Sequence, residues 1–132
     1  METNSDRIII IDAVPVEACI IEDVLLEAGF KNVRTYSDPL VALKDIGQHI
    51  KPAIVITDYH MPEMNGFDLA QKVLQRSEKT AIILISGDHE KAEELKPCFR
   101  VIKKDFSFYD RLLSCVSEIL EGESNDSSPS PL

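Results

Sequence analysis

Cysteine is scarce and unpaired in this chain. Cys19, Cys98 and Cys115 are odd in number and far apart, which leaves no paired spacing for zinc. Each lies among apolar neighbours, so all three are expected to be reduced thiols in the core. Positive charge is also in deficit: 14 lysines and arginines stand against 23 aspartates and glutamates, a formal net charge of -9. A general phosphate-backbone surface is thereby excluded, and nucleic acid with it as a partner. No apolar run approaches the roughly 20 residues that span a bilayer. Met1 to Asp6 also lacks the basic and apolar blocks of a secretion signal. A cytoplasmic protein without a membrane partner is expected. What is present is 132 residues, 44% hydrophobic and 28% charged, enough for one domain with a real core but too short for a two-domain enzyme.

Short apolar runs alternate with longer helical patterns, the signature of βα repeats. The runs are Arg7 to Ile11, Val33 to Tyr36, Ala53 to Thr57, Ala81 to Ile85 and Phe99 to Ile102, and they predict strands buried on both faces. Between the first two, Val16, Ile20, Val24 and Ala28 share one helical stripe. Glu17, Glu22, Asp23 and Glu27 fall off it, and Gly29 is the stop. Asp38 and Pro39 read as N-cap and first position of a second helix reaching about His49. Asn65 and Gly66 open a third, to about Arg76, and His89 to Lys96 form a short fourth, ended by Pro97. Ser107 with Asp110 is a capping box for the fifth, whose Phe108, Leu112, Val116 and Leu120 recur every four residues and which Gly122 closes. Serine, proline and acids dominate thereafter, so residues 1–121 are expected to form the domain and 122–132 a disordered tail or the start of a linker. Five strands and five helices with right-handed crossovers make an open parallel α/β sheet whose strand order the pattern leaves open.

Four apolar strands end in a reactive residue: Asp12, Asp58, Ser86 and, just past the fifth, Lys104. In parallel sheets those are the ligand-binding ends. Taken singly, an Asp or Ser there is more often a cap or turn residue, and a Lys a solvated charge. In the order 2-1-3-4-5 the four strands are neighbours and the groups converge.

The segments IIIIDAVP (Ile8 to Pro15), TDYHMPEMNGFDL (Thr57 to Leu69), ILISG (Ile83 to Gly87) and KKDF (Lys103 to Phe106) resemble the response-regulator receiver domain, stand-alone or excised from a longer protein. The D-x-x-M-P-x-M-x-G pattern from Asp58 to Gly66 is the most specific of them. The resemblance implies a flavodoxin-like (CheY-like) five-stranded parallel sheet, order 2-1-3-4-5, with helices on both faces. It implies a phosphoryl group taken from a histidine kinase or phosphotransfer protein onto Asp58 in a two-component phosphorelay. Asp12, Asp58 and the backbone carbonyl of His60 would hold Mg²⁺, and Ser86 and Lys104 would contact the phosphoryl oxygens. The turn of Ser86 toward the phosphoryl group would be the switch, read by a downstream protein effector or a second copy of the chain. Self-catalysed phosphotransfer and dephosphorylation would be the only chemistry, so the protein is not expected to be an enzyme.

The chain departs from the family pattern at several points. The usual adjacent pair of acids reads Asp12 and Ala13, which predicts weak Mg²⁺ binding. Asp105 stands where a proline usually follows the lysine, so the loop is expected to be built differently; Val101 replaces the usual aromatic of the fifth strand. Only 18 positions separate Ser86 from Lys104, which predicts a truncated fourth helix. His60 and Asp88 occupy places that flank the phosphoryl group in the family and tune its hydrolysis, where they could pair across the site, whereas His49 and His89 have no assigned role. The competing function is a pseudo-receiver, a protein-interaction module independent of phosphorylation. A flavin or nucleotide enzyme on the same fold is disfavoured because Ala13, Val14 and Pro15 offer no phosphate cradle. A haloacid-dehalogenase-type phosphatase needs a second Asp where Val14 stands.

Overall fold

The computed structural model describes residues 6–122. Residues 123–132 of the expected tail lie outside them. Five strands alternate with five helices: β1 (Ile8–Ile11), α1 (Pro15–Glu27), β2 (Val33–Tyr36), α2 (Pro39–Asp45), β3 (Ile54–Asp58), α3 (Gly66–Arg76), β4 (Ala81–Ser86), α4 (His89–Leu95), β5 (Arg100–Lys103) and α5 (Phe108–Gly122). The strands form one parallel sheet in the order β2-β1-β3-β4-β5, the CheY-like arrangement. Successive side chains of a strand point to opposite faces, and the two layers of the core follow from that period. Ile8, Ile10, Ile54, Ile56, Ile83 and Ile85 pack with Ala18, Ile21 and Leu25 of α1 and Phe108, Leu112 and Val116 of α5. Ile9, Ile11, Val55, Ile82 and Leu84 pack on the other side with Leu43 of α2, Leu69 and Val73 of α3 and Leu95 of α4. The chain leaves β1 for β2 in one direction and returns past β1 to β3. The reversal opens a crevice at the carboxyl ends of β1 and β3.

Several expectations need correction. The buried face of α1 carries Ala18, Ile21 and Leu25, whereas Val16 and Ile20 are 63% and 44% exposed and Ala28 is exposed. The helix is apolar nearly all round, so no single stripe selects itself until the sheet does. Cys19 and Cys98 are exposed and Cys115 is half-buried, because Cys19 follows Ala18 on the outer side of α1 and Cys98 lies in the turn before β5. Burial on both faces holds for the inner strands β1, β3 and β4 but not for the edges β2 and β5, each of which lacks one neighbour. Helix α2 stops at Asp45: Ile46 turns extended, Gly47 takes φ +93°, and its N–H donates to the Ile50 carbonyl at 2.7 Å. At α5 the Ser107 hydroxyl is not engaged by the Asp110 N–H as a capping box requires; it donates to Asp105 Oδ1 at 3.1 Å and accepts from Arg111 Nε at 3.1 Å.

Other local readings agree with the structure. Gly29, at φ +106°, ends α1 with its N–H on the Leu26 carbonyl and the Phe30 N–H on the Leu25 carbonyl, a Schellman stop. Asp38 and Asn65 cap α2 and α3 through the N–H groups of Leu40 and Asp68. Helix α4 has 7 residues. The loop after β5 has an all-trans backbone, organised by Asp105, which pairs with Arg111 at 2.7 Å and accepts the Ser107 N–H.

Candidate functional site

Asp12 lies directly after β1, at the mouth of the crevice, and is only 2% exposed. Its N–H donates to the Tyr36 carbonyl at 3.1 Å, and its Oδ1 accepts the Val14 N–H at 2.9 Å. Burial pushes this carboxyl up from the usual range; the Val14 N–H opposes the rise, and the charges of Asp58 and Glu17 add to it. Asp58 is the last residue of β3, in register with Ile85 of β4, and its side chain is 12% exposed.

The turn after Asp58 is seated on α3. The Gly66 N–H donates to the Tyr59 carbonyl at 2.8 Å, and a β-carbon on Gly66 would stand 2.5 Å from the Asp58 carbonyl oxygen and 2.9 Å from Tyr59 Cα. Glycine at the end of the D-x-x-M-P-x-M-x-G segment is therefore required by the close approach of α3 to the backbone of Asp58.

Lys104 reaches in from the end of β5. Its Nζ lies 3.5 Å from Asp58 Oδ2 and 3.2 Å from Glu17 Oε1. Burial lowers its pKa, but Asp58, Glu17 and Asp12 together outweigh that, so the net direction is upward. Ser86 ends β4, fully buried, with its carbonyl accepting the Lys104 N–H at 3.0 Å. Its hydroxyl is turned into the β4–α4 connection, where it accepts the Asp88 N–H and donates to the Asp88 carbonyl.

The other two candidates stand apart. His60 is exposed, edge-on to Tyr59 with ring centroids 4.8 Å apart. Asp88 caps α4 by accepting the Lys91 N–H at 3.1 Å. No hydrogen bond or ion pair joins His60 to Asp88 among the described residues.

Sequence reasoning missed Glu17. In the sequence it is one more acid off the apolar stripe of α1, yet one carboxylate oxygen from each of Asp12, Glu17 and Asp58 lies within 4.8 Å of the others. The available signal was its place in the first turn of a helix that begins at the carboxyl edge of β1. Three hard oxygen donors with no thiolate or imidazole among them, offset by one ammonium, suit Mg²⁺ and not a soft metal.

A parallel sheet ordered 2-1-3-4-5, with acids at the ends of its first and third strands and a lysine after its fifth, defines a receiver-type α/β module. The family model for the response regulator receiver domain matches residues 8–107, and the chain belongs to that family. It is 30% identical over 89 residues to the chemotaxis protein CheY1 of Helicobacter pylori, covering 66% of this chain and 72% of that one. It is 27% identical over 104 residues to the two-component response regulator ORR5 of Oryza sativa, covering 78% and 77%. Among solved structures, a CheY-like receiver domain protein from Methanospirillum hungatei superposes with a TM-score of 0.73 at 20% identity, covering 86% of this chain and 92% of that one. A receiver protein from Sinorhizobium medicae gives 0.74 at 23% identity, covering 88% and 94%; at such identities the likeness speaks for the fold. No helix among the described residues is long and apolar enough to cross a membrane.

Proposed function

We propose that this receiver domain takes a phosphoryl group from a histidine kinase or phosphotransfer protein onto Asp58 and signals by protein contact in the cytoplasm. The observation that carries the reading is the convergence of Asp12, Asp58 and Lys104 at one strand-end rim. A carboxylate is a weak nucleophile toward an anionic phosphoryl donor, so charge compensation and in-line placement have to come from the site. In the transfer an Asp58 carboxylate oxygen forms the new O–P bond while the P–N bond to the donor histidine breaks, its electron pair leaving with the imidazole nitrogen, which takes up a proton.

Asp12, Asp58 and the His60 carbonyl would hold Mg²⁺. When bound, the ion supplies positive charge against the transferring group; Ala13 leaves the usual acid pair one member short, which by itself lowers affinity. Lys104, whose ammonium lies 3.5 Å from Asp58 Oδ2, would meet a phosphoryl oxygen. To donate to a phosphoryl oxygen the Ser86 hydroxyl would give up the hydrogen bond it donates to the Asp88 carbonyl, and that exchange would loosen the β4–α4 connection. His60, two residues after Asp58, and Asp88, two after Ser86, would tune hydrolysis.

The test is incubation with a small phosphodonor and Mg²⁺, followed by intact mass and peptide mapping. One phosphoryl adduct on Asp58, absent in Asp58→Asn, is expected. An adduct that survives that substitution, or none at any donor and metal concentration, would transfer the weight to the pseudo-receiver reading, for which Ala13 is the favouring observation.

A further inference from the structure

We propose that Glu17, from the first turn of α1, is the second acid of the cation site in place of the one that Ala13 leaves out, with Lys104 as its counter-ion until the cation binds. The inference deepens the receiver reading and rests on it. Asp12 is almost wholly buried, and only one of its oxygens has a hydrogen-bond donor among the described residues, the Val14 N–H. Its carboxylate faces those of Asp58 and Glu17. Buried anionic groups persist when a cation or donor compensates them, and among the described residues one ammonium, that of Lys104, pairs with Asp58 and Glu17 while Asp12 has no ion pair.

Glu17 has a simpler role open to it, as an acid that complements the α1 dipole. That role does not call for Lys104, which reaches it from 87 residues away and bridges it to Asp58. A cation drawing in Glu17 and Asp58 takes over both partners of Lys104, so binding the ion releases the ammonium for the phosphoryl group. The Glu17 side chain is 46% exposed, free enough to make that adjustment.

Mg²⁺ titration by calorimetry at about 0.15 M salt, where charges beyond roughly 8 Å are largely screened, reads the effect. Glu17→Gln keeps the shape of the side chain and removes its charge; it is expected to weaken Mg²⁺ by roughly tenfold and to shrink the rise in melting temperature that Mg²⁺ gives. Asp23→Asn, an equal charge change on the exposed side of the same helix, should bind Mg²⁺ like the parent chain. Ala13→Asp placed in the Glu17→Gln chain should restore the lost affinity. If Glu17→Gln binds within twofold of the parent while Asp58→Asn does not bind, the inference is overturned and the receiver reading stands. If the parent chain itself takes up no Mg²⁺ at about 10 mM, the inference also falls, and Asp58 labelling decides the receiver reading separately.

Discussion

Replacing Gly66 with alanine tests how α3 is seated on the acceptor loop. The added β-carbon would lie 2.5 Å from the Asp58 carbonyl oxygen, 2.9 Å from Tyr59 Cα and 2.9 Å from Leu84 Cδ2. Leu84 can rotate away, but the other two are backbone atoms. Reaching even a 3.0 Å separation from the carbonyl oxygen therefore opens the α3–β3 contact by about 0.5 Å, at the expense of the 2.8 Å hydrogen bond from Gly66 to Tyr59.

Overpacking of this kind costs about 1 to 3 kcal/mol. Alanine returns somewhat less than the roughly 1 kcal/mol it gains over glycine inside a helix, because Gly66 is only the first helical residue. The net loss is about 1 to 2 kcal/mol, a fall of roughly 4 to 8 °C in melting temperature for a domain of this size. Thermal and denaturant melts measure it, with Gly87→Ala as control: a β-carbon there meets nothing nearer than Lys104 Cδ at 4.0 Å, so its effect should stay within about 0.5 kcal/mol. A Gly66→Ala protein that melts at or above the parent temperature would refute the seating of α3 on the Asp58 backbone.

Two further outcomes are expected. On the proposed role of the exposed imidazole two residues after Asp58, His60→Ala should shorten the lifetime of the phosphorylated form severalfold; an unchanged rate of phosphate release from purified phosphoprotein would leave His60 an ordinary loop residue. Tyr36→Phe removes the 2.6 Å hydrogen bond from the phenol to Asp45, which should cost about 1 kcal/mol. Burial and Asp45 raise the Tyr36 pKa above its ordinary value of 10.0, so the folded state holds this proton longer than the unfolded chain does. Its contribution is therefore full below that value and is lost as pH rises through and beyond it; denaturant midpoints at pH 8 and 10.5 should fall more steeply for the parent than for Tyr36→Phe.

Much of this architecture is local, and local features are written into the sequence. Isoleucine-rich strands, the Gly29 stop, the Asp38 and Asn65 caps and the four-residue repeat of α5 each depend on a few neighbours in the chain, and all stand in the structure. The D-x-x-M-P-x-M-x-G segment is legible for the same reason: its acid and its glycine meet across the one loop that joins β3 to α3. Asp12, Asp58 and Lys104 could be named because each ends or follows a strand, and parallel strands deliver their carboxyl ends to one rim.

Tertiary structure alone decided the rest. In α1, apolar residues on several sides left the buried face open until the sheet took Ala18, Ile21 and Leu25, and that rotation sent Val16 and Cys19 outward. The same docking brought Glu17 to Asp12 and Asp58. Lys104, from the far end of the chain, completes the cluster. A carboxylate's partners are set by distance in space and by the dielectric around them, and the sequence determined which acids were available but not which of them the packed helix would bring within reach of one another.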